Sequence, residues 1–282
     1  MKKNMIINIT LAVAAFTLIV SIYLSRDQNP ASTVQTKDFS FKSAPSVINI
    51  TRLGESNVQL KLSPTGWLLN HNTIDKLWVR ANHWKVEQIV NSPQNFAAIY
   101  VAPANTPEKY GMKNPIVTLT LGGLHVVFGD TDPIKKRRYV LIEESIYTIN
   151  DDIYQHLISD YYSFIDNFVL PQTAKITGID TQRYKLQQDK NGKWKSSFTN
   201  PSTADHIQKL LDEWSNLTAL NVQKISEGLF KESVTIRFGD GTDIAIRVSQ
   251  EEKQFRMQNL KTQFEYNINP ETYQRLFPEK LN

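Results

Sequence analysis

"YTINDDIYQHL", Tyr147–Leu157, and "YNINPETYQRL", Tyr266–Leu276, are two versions of one phrase. They share Tyr, Ile, Asn, Tyr, Gln and Leu at the same places. Each reads as the end of a strand, a turn and the start of a helix. Asn150 and Asn269 suit N-cap positions, where a side-chain oxygen accepts from the free N–H groups of a first helical turn. Pro270 falls at the first helical position, where its missing N–H costs nothing. Tyr154 and Leu157, like Tyr273 and Leu276, stand three apart on one helix face and can pack back on a sheet.

Moving outward, the correspondence continues in the same order. "VTLTLGG" (Val117–Gly123) matches "VTIRFGDG" (Val234–Gly241). "NVQLKLSPTGWLL" (Asn57–Leu69) resembles "RYKLQQDKNGKWKS" (Arg183–Ser196), which sets Trp67 against Trp194. Ile48 and Ile50 precede the first, Ile176 and Ile179 the second. Collinear self-similarity is the mark of an internal repeat. The expected fold is α+β: two tandem copies of an antiparallel-sheet-plus-helix module, residues 46–165 and 172–282, behind one N-terminal transmembrane helix.

Inside each copy the local signals agree. Val58, Leu60 and Leu62 alternate with Gln59 and Lys61, the period of a strand with one buried face. "SPTG" and "DKNG" are turn chemistry. Ile207, Leu210, Leu211, Trp214 and Leu217 fall at helical spacing behind Ser202 and Thr203, both suitable caps. "ANHWKVEQIVNS" predicts the matching helix, with Trp84, Ile89 and Val90 inward. The strand "YVLIE" (Tyr139–Glu143) looks buried on both faces, which leaves the preceding cations at its wet end.

Met5–Leu24 contains no Asp, Glu, Lys or Arg; at about 20 residues it is roughly 30 Å long as a helix, the thickness of a bilayer core. "SIYLSRDQ" is a poor cleavage site, so an uncleaved anchor (residues 1–24) is expected rather than a signal peptide. Lys2 and Lys3 hold the short end in the cytoplasm, placing the bulk in the periplasm, outside the inner membrane. Residues 25–45, polar and with two prolines, read as a linker. The absence of cysteine excludes disulfides, thiolate metal sites and cysteine nucleophiles. A net charge of +4 is too mild to suggest nucleic acid.

"EKYGMKNPIVTLTLG", with Tyr110, Gly111, Met112 and Pro115, is followed by "FGDTDPIKKRRYV", with Gly129, Pro133, Arg138 and Tyr139, and then by "IYTINDDIY". Together these resemble the bacterial envelope family known as domain of unknown function 4340, over most of the exported chain and most strongly over 57–170. The resemblance implies a single anchor, repeated α+β modules and company with export-type ABC transporter components. It implies no catalytic residues.

Lys135, Lys136, Arg137 and Arg138 form the candidate binding patch, suited to an anionic lipid, polymer or protein face; the alternative is a solvated turn. "DKNGK" (Asp189–Lys193) lacks the later ligands of a calcium loop. His83 and Glu87 could share a helix face, but zinc needs a third ligand. Asp130 and Asp132 could be imagined as a glycosidase pair, and read better as turn residues beside Pro133. Tyr161, Tyr162, Phe164 and Phe168 are either a binding surface or cement between the copies; their place at the repeat boundary favours cement. No catalytic residue, cofactor or metal is expected. The function expected is a non-catalytic periplasmic binding or scaffold module with a protein partner in the envelope. The alternatives are an envelope hydrolase using Asp or Glu, and a structural spacer.

Overall fold

Alternating apolar residues lay down two antiparallel sheets, and the apolar stripes of a few helices cover them, so the fold is α+β. The computed structural model describes Thr17, Val20 and residues 36–41, 43–198, 203–251 and 254–278. The expected anchor, Met5–Leu24, lies outside the described residues apart from Thr17 and Val20. Among the described residues no helix is long and apolar enough to cross a membrane.

The first half runs β1 (Thr36–Lys37), β2 (Val47–Arg52), β3 (Val58–Ser63), β4 (Gly66–Asn70), β5 (Trp78–Arg80), α1 (His83–Asn91), β6 (Ala98–Pro103), β7 (Val117–Leu121), β8 (Leu124–Thr131), β9 (Arg138–Ile142), β10 (Ser145–Ile149) and α2 (Tyr154–Ile158). The second runs β11 (Ile176–Thr181), β12 (Lys185–Gln188), β13 (Trp194–Ser196), α3 (Ala204–Ser215), β14 (Asn221–Lys224), β15 (Glu232–Phe238), β16 (Asp243–Glu251), β17 (Gln254–Asn259), β18 (Phe264–Ile268) and α4 (Pro270–Leu276). Without its outer strands β1 and β5, the first sheet is ordered β6-β10-β9-β8-β7-β2-β3-β4; the second is ordered β14-β18-β17-β16-β15-β11-β12-β13. The two orders are the same walk through the chain. Registers agree as well, with Leu119 opposite Ile50 and Ile236 opposite Ile179.

Residues 164–169 tie the sheets edge to edge. On one side Asn82 N donates to Phe164 O (2.8 Å) and Asp166 N to Arg80 O (3.0 Å). On the other Val169 N donates to Leu217 O (3.0 Å) and Ala219 N to Asn167 O (2.9 Å). Backbone groups at a sheet edge need partners, and here the connecting segment supplies them to both edges. The boundary aromatics serve that joint: Tyr161 and Phe164 are buried, Tyr161 OH donates to Asn70 O (2.6 Å), and the Tyr162 ring meets Phe264 edge-on.

Several local expectations are corrected. Part of the expected linker is structured: β1 pairs with β6, and Phe39 packs on Tyr147. Asn269 caps α4, accepting from Glu271 N (2.8 Å). Asn150 caps nothing, because its Oδ1 is taken by Arg137 Nη1 (2.6 Å), and α2 starts four residues later without a side-chain cap. Only the second phrase has the proline that starts a helix at once. In α1 the frame is turned so that Lys85, Val86 and Ile89 face inward and Trp84 outward. Trp67 is buried under β5's side of the sheet, whereas Trp194 is half-exposed because β13 is a three-residue edge strand with nothing beyond it. β9 is buried on one face only, Tyr139 and Leu141 being half-exposed.

Candidate functional site

A cleft of about 320 Å³ opens where the sheets meet, lined by β5, the connecting segment and the β17–β18 hairpin. Its walls are mostly apolar, with Trp78, Val79, Ile165, Phe168 and Phe264. Charged and polar side chains, among them Arg80, Asp166, Asn259 and Lys261, interrupt them, and a largely apolar wall with placed polar groups is the common composition of ligand sites. Arg80 pairs with Asp166 (3.4 Å) and donates to Leu170 O (2.8 Å), so its charge is balanced inside the cleft. His71 fixes the hairpin tip. Its Nδ1 accepts from Ile74 N (3.0 Å), so Nε2 carries the proton and donates to Thr262 O (2.7 Å), while the ring stacks on Phe264 at 4.7 Å.

Tyr266, the first residue of the second phrase, reaches the same cleft. It is 5% exposed, and its hydroxyl has no hydrogen-bond partner among the described residues. Burial pushes that hydroxyl well above the usual tyrosine range, with Arg80 and Asp166 pulling in opposite directions. Thr262 Oγ1, in a residue of the same cleft wall, is buried and unpartnered among the described residues. Buried hydroxyls are normally satisfied. Tyr147, which stands at the same register place in β10, is satisfied: Lys37 Nζ donates to its hydroxyl (3.3 Å).

The four basic residues do not stay together. Lys135 and Lys136 are exposed at the turn. Arg137 folds inward and donates to Thr148 O (3.0 Å) and Asn150 Oδ1 (2.6 Å). Arg138 is buried, bidentate on Asp151 (2.6 and 2.8 Å), donating to Gly129 O (2.7 Å), and lying 3.4 Å over the Tyr154 ring. The expectation of four cations at a wet strand end is therefore corrected to two. The flat guanidinium does a packing task, which Phe255 on Tyr273 (4.4 Å) performs in the second half. Arg138→Ala is expected to cost about 2 kcal/mol in urea denaturation, the worth of charge-assisted bonds to a partly exposed carboxylate. Lys135→Gln with Lys136→Gln should leave the midpoint unchanged.

The motif residues behind the family resemblance gather at the same corner. Gly111 ends a short helical turn at φ +78°, and a Cβ there would lie 2.3 Å from Asp130 Cγ. A Cβ on Gly129 would lie 2.1 Å from Tyr110 O. Met112 packs against Gly129, and the Tyr110 and Tyr139 rings meet at 4.9 Å. Asp132 Oδ1 accepts from Ile134 N (2.8 Å) and Lys135 N (3.1 Å); these bonds hold its carboxyl below the usual range. This is turn chemistry. Among the described residues no three acidic or histidine side chains gather as a metal cluster.

Lys85 is a group that sequence reading passed over. Its Nζ donates to Ser159 Oγ and Ser163 Oγ and lies 4.4 Å from the Phe164 ring centre. Both hydroxyls hand their own protons to carbonyls, His156 O and Asp160 O. The lysine thus donates to the serines, the reverse of what a serine nucleophile needs from its base. Burial, then the Arg52 charge, pushes the ammonium down to about 8. An unfolded chain keeps this proton to about 10.4, so between these values the unfolded state binds more protons and stability rises with pH. Wild type should therefore gain about 2–3 kcal/mol relative to Lys85→Met as pH goes from about 8 to about 10.5. Paired urea titrations across that window measure it. A constant difference between the two would show that Lys85 titrates normally.

Comparisons with protein-family profiles, curated proteins and solved structures give no match to this chain.

Proposed function

We propose that this chain is a non-catalytic binding module built from two tandem copies of one α+β unit, 46–165 and 172–282. Residues 5–24 hold it to the inner membrane with both sheets in the periplasm, and the cleft between the sheets takes an apolar group of an envelope protein partner. The observation that carries this reading is a cleft with mostly apolar walls into which the Tyr266 hydroxyl opens without a hydrogen-bond partner among the described residues, beside the self-paired Arg80 and Asp166. An occupant with one hydrogen-bonding group satisfies the Tyr266 hydroxyl. The shared strand order and register support the two copies. Acid–base cleavage of a glycoside needs two facing carboxylates. Asp166, inside the cleft, is already committed to Arg80, and Asp243 at its edge is exposed to solvent, which weighs against the hydrolase.

The test places a photo-crosslinking residue at Lys261, exposed on the cleft rim, and in a control at Lys190, exposed on a distant turn. Irradiation in cells should yield a discrete protein adduct from position 261 alone, diminished by Tyr266→Phe. Equal adducts from both positions, or none from 261, would overturn the reading of the cleft. A phosphatase that works only in the periplasm, fused after Asn282, should be active; an inactive fusion with normal expression would overturn the topology.

A further inference from the structure

The outer face of the first sheet carries a row of uncharged hydrogen-bonding side chains. His125 faces Thr120, Thr120 faces Asn49, and Asn49 faces Gln59 across successive strands. Asn70 Nδ2 then donates to Gln59 Oε1 (3.3 Å). Beside this row lies a hollow of about 500 Å³, lined by Asn49, Thr51, Asn57, Gln59, Asn70 and Asn72 among others. No Lys, Arg, Asp or Glu lines it among the described residues.

Thr120 Oγ1 and His125 Nδ1 spend theirs on each other (3.0 Å), but much of the amides' hydrogen-bonding capacity is unspent. The Asn49 side chain makes no hydrogen bond among the described residues, and Gln59 and Asn57 use only their oxygens, Asn57 Oδ1 accepting from Arg52 N (3.0 Å). Asn72 turns its Nδ2 to Ser56 Oγ (3.3 Å). The fold does not require such a face. At the same register places in the second sheet stand Gly178, Gln187 and Arg237. There Arg237 donates to Gln187 Oε1 (3.1 Å), and both Arg237 and Lys185 pair with Asp180. That is an ordinary self-satisfied ionic surface. The first sheet has exchanged it for open amides.

We infer that this hollow binds a neutral glycan. Each amide offers an acceptor and two donors, the complement of sugar hydroxyls, which donate and accept at once, and of acetamido groups. An uncharged ligand gains nothing from ionic side chains and would desolvate them at a cost; an uncharged row avoids that cost. Strands about 4.8 Å apart repeat the amides at a regular short step, which suits a polymer of repeating sugars. This site is separate from the cleft between the sheets and does not depend on that reading.

The experiment titrates the full-length protein in neutral detergent with chitotetraose and with cellotetraose, followed by saturation-transfer NMR and calorimetry. Binding of either supports the inference: chitotetraose alone identifies acetamido recognition, and both together identify hydroxyl recognition. Affinity should hold between low and high salt, because no charge takes part. Asn49→Ala with Gln59→Ala should weaken it about tenfold or more, the effect of removing two hydrogen bonds. Both sites are exposed or half-exposed on a solvated face, so the variant should fold, as circular dichroism would verify. Tyr266→Phe should bind the glycan as wild type does. Absence of binding to both oligomers, or binding that survives the double substitution, would overturn the proposal.

Discussion

Trp214→Ala is expected to destabilise the protein by about 3–5 kcal/mol, the cost of emptying a large buried ring from a packed core. Trp214 is fully buried on α3. Its Nε1 donates to Tyr184 OH (2.7 Å), which in turn donates to Leu276 O at the end of α4 (2.8 Å). The Phe277 ring meets the indole edge-on at 5.7 Å. One residue thus couples α3, the start of β12 and the C-terminal helix. Removing it leaves a cavity and a Tyr184 hydroxyl that has lost its donor. Trp194→Ala is the control: the ring is half-exposed on an edge strand, and about 1–2 kcal/mol is expected from the smaller area. Urea denaturation followed by circular dichroism measures both. Equal losses would mean that α3 is not seated as described.

Glu265→Ala is expected to cost about 3 kcal/mol or more, because it removes one side of a buried charge network. Glu265 is fully buried on β18. Its carboxylate accepts from Gln223 Nε2 (2.7 Å), Gln258 Nε2 (2.8 Å) and Ser226 Oγ (2.7 Å), with Arg256 Nη1 at 3.7 Å. When Glu265 is gone, Arg256 keeps Glu251 as its carboxylate partner (2.8 Å) and its bond to Ser226 Oγ (2.7 Å). Burial by itself raises the Glu265 carboxyl, but the bonds from Gln258, Ser226 and Gln223 outweigh it and hold it below the usual range. A carboxyl depressed in the folded state contributes stability above its unfolded value near 4.3, and that contribution is lost as pH falls through the folded value. The gap between wild type and Glu265→Gln should therefore narrow on acidification below about pH 4. A gap independent of pH would show that the carboxylate is not the stabilising species.

The repeated phrase carries most of what the amino-acid sequence determines by itself. Period-two alternation at Val58–Leu62 and Val117–Leu121 specifies strands because side chains alternate faces, although Leu62, expected on the buried face, is exposed near the end of β3. The helical spacing of Ile207, Leu210, Leu211 and Trp214 specifies α3 for the corresponding reason. Asn269 and Pro270 announce α4 by local chemistry alone. All of these depend on neighbours a few residues away, so they are legible without a fold. The two-sheet α+β class follows from them.

What only the tertiary structure decided involves residues distant in the chain. Tyr147 and Tyr266 are identical in local setting, yet Lys37 satisfies one hydroxyl and the cleft leaves the other open. Arg137 and Arg138 look like loop cations until Asn150 and Asp151 are folded beneath them. Asn49, Gln59 and Asn70 sit on three different strands and become a row only through pairing register. Lys85 turns inward because helix rotation follows the best apolar fit of Val86 and Ile89, not the largest side chain, Trp84. Hydrogen-bond satisfaction and burial are properties of the assembled surroundings, and a linear pattern of residue types does not contain them.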